Sequence, residues 1–354
     1  MRSERHIKKQ KRKTWIKRII LILGILISFA VGTAAGYYGN LIQNFLTNIS
    51  DEASEEPEDT TEQDETIADL HPISILILGL DDVGGGPQRS DTMMVATINP
   101  EQESVKLVSI PRDTLITLPG TDRLEKFNAV YPIYGIEGLK DFVEDYLRIP
   151  IHFHATLSFQ GLVDLVDAVG GITVDSDLSF TVQDSEENMD AIEIEEGIQT
   201  LDGEKALGYA RMRKQDPRGD FGRQERQREV IQALANEVLS LRSFTNIAPI
   251  LNAISPNLST NMSSQQIMSV ASNYSSAAQN IESMEMSGVA DYVYIPTYNQ
   301  ELYVWLPYEE TLSTIQETLR EHMELDPLTN GDDTLYETIE GGPNEEDEDD
   351  IEYE

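Results

Sequence analysis

The feature that most constrains this chain is an uncharged, apolar stretch close to its N-terminus. Residues 1–18 carry nine basic residues and one acid, whereas residues 19–50 carry no charge and residues 19–38 are almost entirely apolar or small. About 20 such residues in a helix span a bilayer, and a cleaved signal peptide has a shorter apolar core. Because basic flanks stay in the cytoplasm, we predict a cytoplasmic tail over 1–18, a single uncleaved membrane span over 19–40 and an extracytoplasmic remainder.

The charge of the chain narrows the classes of partner. With 63 acidic and 26 basic residues the formal net charge is −37, whereas a nucleic-acid binder needs a basic surface. Two acidic stretches bracket a more apolar middle, which predicts a spacer over 41–71, a folded domain over 72–326 and a disordered tail over 327–354. We interpret both stretches as solvated, with cation or partner binding as the alternative. The absence of cysteine excludes disulfides, thiolate nucleophiles and cysteine-ligated metals.

The middle of the chain alternates between strand and helix patterns. Apolar or β-branched runs predict strands over 73–80, 92–99, 104–110 and 152–157, a strand that starts at 172 and another near 292–295, with the second and third joined as a hairpin. Helical spacing of apolar residues predicts helices over 136–147, 159–169, 202–210, 223–241, 263–278 and 308–323. This mixture predicts an α/β fold in which helices sandwich a mixed central β-sheet.

The few cations of this acidic chain are unevenly distributed. Eight of them fall within 205–228, namely Lys205, Arg211, Arg213, Lys214, Arg218, Arg223, Arg226 and Arg228. Arg211 and Arg213 share one side of an extended segment, and Arg223 and Gln227 share one face of a helix. Arginine is suited to bidentate recognition of phosphate or pyrophosphate. We interpret the group as a phosphate-binding site, with ion pairs to nearby acids as the alternative for any single arginine.

A second set of polar residues lies at the ends of predicted strands. Asp81 follows the first strand, Asp91 precedes the second, and Arg112 follows the third. If the first and third strands are neighbours, Asp81 and Arg112 emerge at the same edge of the sheet, where open α/β sheets bind ligands. Carboxylates that face a pyrophosphate at such an edge indicate Mg²⁺ as a cofactor.

Two other motifs were weighed as sites of their own. Gly84-Gly85-Gly86 lacks the Gly-Lys-Ser/Thr that a P-loop requires, so it is rejected as one. His152 and His154 share a strand face and could hold a metal. Since no third ligand is close in sequence, we prefer packing or a hydrogen bond as their role.

Three separate blocks of the sequence together resemble the motifs of one protein family. They are ILGLDD to IPRDT (77–114), DRLEKFNAVY (122–131) and EEGIQTLDGEK to RQREVI (195–231). Together they closely resemble the LytR–CpsA–Psr family of envelope enzymes, and the basic tail, single span and external domain match as well. This chain departs from the family pattern in YPIYGIEG (131–138), which lacks a Gly-Gly pair, and at Glu125, where the family often has Asp.

The resemblance implies a role for each residue that matches the family's motifs. Asp81 and Asp91 would hold Mg²⁺, and Asp91, Arg112 and Arg211 would be catalytic. The implied pyrophosphate site consists of Arg89, Arg112, Lys126, Arg211, Arg213, Arg223 and Gln227, with Asp220 supporting it. The implied fold also contains a hydrophobic pocket for a polyprenyl lipid.

The implied activity is a Mg²⁺-dependent phosphotransferase reaction at the cell membrane of a Gram-positive-type bacterium. A glycopolymer, such as teichoic acid, capsule or another wall glycan, would pass from a polyprenyl pyrophosphate carrier to peptidoglycan. Two alternatives stay open. With water as nucleophile the same site would be a polyprenyl-pyrophosphate hydrolase. A membrane-tethered envelope regulator, or transcriptional attenuator, would need no catalysis, and the negative charge argues against direct DNA contact.

Overall fold

The computed structural model describes the chain from residue 39 onward, with gaps. The described residues are 39–41, 43–44, 47–50, 63, 66–80, 90–118, 120–184, 188, 190–240 and 256–328. The predicted cytoplasmic tail, nearly all of the predicted membrane span and nearly all of the acidic tail lie outside them. Within the described residues, no helix is both long and apolar enough to cross a bilayer.

The fold is organised around β1, an eight-residue strand that is apolar at almost every position. Such a strand needs cover on both faces, and β1 lies inside a six-stranded sheet of order β11–β6–β1–β2–β3–β12. The strands are β1 Ile73–Leu80, β2 Ser90–Asn99, β3 Ser104–Ser109, β6 Phe153–Ser158, β11 Leu258–Thr260 and β12 Ile281–Met284. The pairs β1–β6 and β3–β12 are parallel and the other three are antiparallel, so the sheet is mixed, as predicted.

The order of the strands corrects one expectation and confirms another. The predicted hairpin is present as β2 and β3, but β1 and β3 are not neighbours, because β2 lies between them. Since β1 and β3 both run antiparallel to β2, their C-terminal ends still reach the same edge of the sheet. The β1–β2 register shifts between Gly79 and Leu80, which leaves Asp91 as the extra residue of a β-bulge at this edge.

Among the described residues from 73 onward, six helices cover the two faces of this sheet. They are α1 Val130–Leu147, α2 Phe159–Val169, α3 Gly203–Arg211, α4 Asp220–Ser240, α5 Ser264–Asn273 and α6 Glu309–His322. On one face α1 and α6 pack against Leu76 and Leu78. On the other face α4 and α5 pack against the alternate residues Ile75 and Ile77, and α2 and α3 pack onto α4. The predicted α/β sandwich is therefore confirmed.

Most helix boundaries lie within a few residues of the predicted ones. Helix α1 begins at Val130, six residues before the prediction, but Gly135 has a φ of 72° and interrupts the helical backbone. Only glycine adopts this left-handed conformation without strain, so the regular helix starts after Gly135, where the apolar spacing placed it. Helix α5 ends at Asn273, short of the predicted 278.

Four two-stranded ribbons flank the sheet, and most of their strands were not predicted. They pair β4 Leu115–Thr117 with β5 Leu124–Lys126, β7 Ile172–Ser176 with β10 Gly197–Leu201, β8 Phe180–Val182 with β9 Ile192–Ile194, and β13 Gly288–Ile295 with β14 Gln300–Pro307. The strands predicted from 172 and near 292 correspond to β7 and β13. The β13–β14 hairpin packs one face onto β4 and β5.

The described parts of the predicted spacer contact the folded domain. Ile49 and Ile67 are buried. The hydroxyl of Ser50 donates to the carbonyl of Met262 at 2.8 Å, and the hydroxyl of Tyr274 donates to the carbonyl of His71 at 2.7 Å. At these positions the chain is part of the domain and not a solvated spacer.

Candidate active site

A cavity of about 270 Å³ lies at the edge of the sheet where β1 and β6 end. Its apolar walls come from β1, β6, α2, α3 and α4, and include Ile77, Leu157, Phe159, Leu162, Leu207 and Ile231. Four arginines also line it: Arg112, Arg211, Arg213 and Arg223, referred to below as the arginine cluster. Gln227 completes the predicted set on this lining. An apolar space lined by guanidinium groups suits a ligand that joins an apolar chain to an anionic group.

Each member of the arginine cluster comes from the end of a secondary-structure element. Arg112 follows β3, at the same edge as the end of β1. Arg211 is the last residue of α3, and Arg213 follows after Met212 leaves the helix with extended φ/ψ of −60° and 128°. Arg223 lies near the start of α4. The segment after β3 therefore converges on one cavity with two segments that lie about a hundred residues later in the sequence.

Asp220 links two members of the arginine cluster. Its Oδ1 atom lies 2.8 Å from Nη2 of Arg223 and 3.6 Å from Nε of Arg213. As the first residue of α4, Asp220 is also stabilised by the helix dipole. The carboxylate thus holds the two guanidinium groups near each other, which is the supporting position predicted for it.

The other cluster members have partners of their own. The guanidinium carbon of Arg211 lies 4.9 Å from the ring centroid of Phe159, a cation–π contact. Asp113 lies between Arg112, whose Nε is 3.7 Å from Oδ2, and Lys126, whose Nζ is 2.8 Å from Oδ1. Lys126, predicted as a pyrophosphate ligand, is therefore placed beside Arg112 through Asp113 rather than in the cavity lining.

Three predicted site residues are not placed with their side chains. Asp81 and Arg89 lie outside the described residues, and only the backbone of Asp91 is described. That backbone precedes Thr92, which lines the cavity. Mg²⁺ is commonly held by one or two carboxylates together with substrate phosphates, and aspartate at position 91, whose backbone adjoins the cavity lining, is a residue type that fits the ion chemically.

The two histidines follow the preferred interpretation. Among the described residues, no group of three or more His, Asp or Glu side chains is arranged to hold a metal ion. Nδ1 of His152 lies 2.9 Å from the hydroxyl of Ser74, and burial lowers the pKa of His152 to about 4. His152 is therefore a half-buried residue that makes a hydrogen bond, and its lowered pKa favours the neutral ring.

Arg226 supports the site, and the sequence analysis missed this role. Its side chain is 2% exposed, and Nη1 donates to Oδ2 of Asp216 at 2.6 Å. Nη2 donates to the carbonyl of Met212 at 2.6 Å and Nε to the carbonyl of Tyr209 at 3.2 Å. Both carbonyls belong to the segment that carries Arg211. The buried guanidinium thereby ties that segment to α4.

The Arg226–Asp216 contact, called the buried ion pair below, has a detectable signal in the sequence. Arg226 lies four residues before Val230, which is buried, and so falls on the apolar stripe of α4. A charged residue on such a stripe needs a buried partner. Burial by itself raises the pKa of Asp216, but the hydrogen bonds from Arg226 and from the backbone of Arg218 outweigh it and lower the pKa overall.

The remaining arginines of the sequence cluster separate into other roles. Arg218 is 45% exposed and pairs with Asp177 at 2.7 Å and with Glu225. Arg228 is buried, and its Nη1 donates to the hydroxyl of Ser109 at 3.3 Å. Burial lowers the pKa of Arg228. The ion-pair interpretation therefore applies to Arg218 and Arg226, while Arg211, Arg213 and Arg223 of the same group line the cavity.

Comparisons with known proteins agree with the sequence blocks and the fold. The LytR_cpsA_psr family model matches residues 42–321. A Bacillus anthracis protein named polyisoprenyl-teichoic acid–peptidoglycan teichoic acid transferase TagU is 36% identical over 290 residues, 79% of this chain and 93% of that protein. Bacillus subtilis TagU, which bears the same full name, is 32% identical over 324 residues, 92% of this chain and all of that protein.

The fold also matches a solved structure. The crystal structure of B. subtilis TagV aligns with a TM-score of 0.63 at 34% identity, covering 73% of this chain and 99% of that one. The sequence blocks, the mixed sheet and the family match over most of the chain lead to one conclusion. This protein belongs to the LytR_cpsA_psr family.

Proposed function

We propose that this protein is a membrane-anchored phosphotransferase that moves a glycopolymer from a polyprenyl pyrophosphate carrier to peptidoglycan. The names of the TagU relatives support the reaction class, and the alignments cover more than nine-tenths of their length. The observation that carries the proposal is the convergence of five predicted ligands, Arg112, Arg211, Arg213, Arg223 and Gln227, on one largely apolar cavity. The predicted span over 19–40 would hold the domain at the outer surface of the membrane.

The cavity suggests how the donor binds. Its volume of about 270 Å³ is close to the lower end of small-ligand pockets, which are about 300–1,000 Å³. The apolar walls would therefore take the part of the polyprenyl chain next to the pyrophosphate, and the rest of the lipid would extend beyond them. The arginine cluster would bind the pyrophosphate, so the scissile bond lies where apolar walls and guanidinium groups meet.

The chemistry is an exchange of one P–O bond for another. A hydroxyl oxygen of the acceptor glycan attacks the phosphorus that carries the glycopolymer. The bond from this phosphorus to the bridging oxygen breaks, and its electron pair leaves with the lipid monophosphate. The hydroxyl proton passes to a base, for which Asp91 is our candidate. In this scheme the products are a phosphodiester-linked polymer and the free lipid phosphate.

The arginine cluster would act on the charge that develops in this exchange. Negative charge grows on the leaving lipid phosphate and on the oxygens of the transferred phosphoryl group. Guanidinium groups held in place by Asp220 and Phe159 stabilise that charge without reorganising, and each is worth about 10²–10³ in rate. Asp81 and Asp91 would hold Mg²⁺, which neutralises phosphate charge when bound.

The test uses the full-length protein in detergent with a labelled polyprenyl-pyrophosphate glycan, Mg²⁺ and uncrosslinked peptidoglycan strands. Attached label and released lipid monophosphate are both measured, with Asp91→Ala and Arg112→Ala in parallel. We expect the wild type to attach label and both variants to lose about 10²-fold or more in rate. Exposed Arg218 provides a matched control, since Arg218→Ala leaves the cavity lining intact.

Each other outcome contradicts part of the proposal. Lipid monophosphate without attached label identifies a polyprenyl-pyrophosphate hydrolase. Tight donor binding without either product supports a regulator without catalysis. An unchanged rate in Arg112→Ala removes that residue from the catalytic set.

A further inference from the structure

The surface next to the arginine cluster carries exposed tyrosines that the reaction scheme leaves unused. The β13–β14 hairpin packs Val293, Ile295 and Val304 against the domain on one face. On its other face, Tyr292 is 66% exposed and Tyr294 is 52% exposed. Tyr292 and Tyr294 are two residues apart on one strand, so their side chains lie on the same face. Large exposed aromatic groups at neighbouring positions mark an interaction surface.

This aromatic face is continuous with the cavity. The Tyr292 ring packs edge-on against Tyr303, its cross-strand partner, with centroids 5.9 Å apart. The guanidinium carbon of Arg213 lies 5.4 Å from the centroid of Tyr303, and Arg213 lines the cavity. Tyr292 is therefore linked to the arginine cluster by two successive contacts through Tyr303.

The hairpin is fixed to the same segment that carries Arg112. The backbone N–H of Trp305 donates to the carbonyl of Asp113 at 2.9 Å, and Thr114 forms a β-bridge with Trp305. At the hairpin turn, the Tyr298 hydroxyl donates to buried Glu125 at 3.0 Å. The distance between the exposed tyrosines and Arg112 is therefore set by backbone and buried contacts.

The charges on this face restrict what can bind there. The residue opposite Tyr294 across the hairpin is the exposed carboxylate Glu301. An acid beside the rings, on a protein of net charge −37, repels a polyanion or an anionic bilayer. The cations Arg213 and Lys126 lie against half-buried Tyr303, at the cavity end of this face, whereas surfaces that bind such bilayers place Lys or Arg beside their exposed apolar groups. Sugar rings, which are uncharged and rich in hydroxyl groups, can stack on the tyrosines and donate hydrogen bonds to the carboxylate.

We propose that Tyr292 and Tyr294 form a stacking surface for the sugar rings of the acceptor polysaccharide strand. This inference rests on the proposed function, because that reaction needs a glycan hydroxyl delivered to the phosphorus beside Arg213. The glycan strand binds to the face that carries Tyr292 and Tyr294, and it extends past Tyr303 to the arginine cluster. The two tyrosines are positioning residues and take no part in the exchange of P–O bonds.

The experiment compares the full-length wild type with Tyr292→Ala/Tyr294→Ala and with the ring-preserving Tyr292→Phe/Tyr294→Phe. Met268→Ala is a matched control, because Met268 is 51% exposed on α5. Binding of uncrosslinked glycan strands is measured without donor, and KM for the acceptor, kcat and donor binding are measured in the transfer assay. We expect the Ala pair to weaken glycan binding and to raise the acceptor KM about tenfold, with donor binding unchanged. The Phe pair and Met268→Ala should remain near the wild type.

The outcomes separate this inference from the proposed function. If the wild type transfers label and the Ala pair keeps the same acceptor KM and glycan binding, the stacking surface is wrong while the phosphotransferase stands. If the wild type transfers nothing but the Ala pair still loses glycan binding, the surface stands and the reaction is wrong. Loss of binding in the Phe pair equal to that in the Ala pair overturns stacking. A loss of binding to anionic vesicles in the Ala pair, with glycan binding intact, makes the face a membrane contact and overturns the inference.

Discussion

Arg223 and Arg226 lie three residues apart on α4, yet they belong to two different electrostatic environments. Arg226 is enclosed by Asp216 and by the backbone carbonyls of Tyr209 and Met212. Arg223 shares Asp220 with Arg213 and lies on the lining of a cavity. The buried ion pair satisfies its guanidinium within the protein, whereas the arginine cluster presents guanidinium groups to a space that a ligand can enter.

This difference shows that arginine has two roles here: one arginine stabilises the fold around the site, and others line the cavity where a ligand would bind. A buried charge costs several kcal/mol unless it is paired and hydrogen-bonded, and the Arg226 contacts meet that requirement. They also hold the segment that carries Arg211 and Arg213. The arginine cluster, in contrast, concentrates like charges around one cavity, an arrangement that anion binding relieves. The buried ion pair should therefore control stability, and the cluster should control activity.

The largest expected effect is the loss of protein stability when the buried ion pair is broken. Arg226→Met leaves the Asp216 carboxylate buried without its main partner, so we expect the free energy of unfolding to fall by about 3–5 kcal/mol. Urea unfolding followed by circular dichroism measures this. The double variant Arg226→Met/Asp216→Asn removes the stranded charge and should recover part of the loss. Equal stability of Arg226→Met and the wild type would show that the pair contributes nothing to the fold.

Arg211→Ala should produce the opposite pattern. Loss of one charge-stabilising group should lower kcat by about 10²–10³, while the lost contact with Phe159 should cost about 1 kcal/mol or less of stability. Arg211→Lys retains the charge without the planar guanidinium group, so its kcat should lie between those of the wild type and Arg211→Ala. Steady-state transfer rates and thermal unfolding give both quantities. A variant that is clearly less stable than the wild type but has the same kcat would show that Arg211 controls stability and not activity.

The buried ion pair should also be sensitive to acid. Because the pKa of Asp216 is lowered below 3.8 in the folded protein, the unfolded state binds its proton first as the pH falls. The stabilisation from this carboxylate is thus present above 3.8 and is lost as the pH drops through the folded value. Unfolding of the wild type and of Asp216→Asn is compared over this range. A stability difference that stays constant down to about pH 2 would contradict the lowered pKa.

The smallest effect is expected at Arg218. This residue is 45% exposed, its partners Asp177 and Glu225 are more than half exposed, and its contact with buried Asp216 is a longer one of 3.5 Å. Such ion pairs contribute about 0–1 kcal/mol, so Arg218→Ala should change stability by no more than that and leave the transfer rate unchanged. Raising the salt concentration should reduce even this difference. A loss comparable to that of Arg226→Met would show that exposure does not separate the two groups.

The sheet and helices could be predicted where burial leaves a local signature. The nearly continuous apolar run of β1 and the helical spacing in α2 and α6 identify their elements without tertiary information. The strand β14 was missed because both of its faces are apolar. Leu302 and Val304 pack onto β4 and β5 while Tyr303 and Trp305 face the other way, so the pattern does not alternate. Three-residue strands such as β4 and β8 were missed because three residues are too few to show a hydrophobic period, although each pairs with a strand nearby in sequence.

The sequence predicted which residues belong to the candidate site, but it did not predict their positions relative to one another. Arg112, Arg211 and Arg223 were identified from their chemistry and from the family blocks. That they line one cavity follows from β1 and β3 both running antiparallel to β2 and from the packing of α3 and α4 on the same face. Lys126 illustrates the converse, since its pairing with Asp113 places it beside the cluster.

The sequence by itself determined the features of the protein that depend on composition and local spacing. These are the apolar stretch after a basic tail, the acidity of the chain, the α/β alternation and the family membership carried by three blocks. Only the tertiary structure decided which arginine is enclosed and which faces the cavity. Burial, and hence the energy of a charge, depends on contacts that only folding creates. Asp216 and two carbonyls enclose Arg226, whereas Arg112, which follows β3, meets Arg211 at the end of α3.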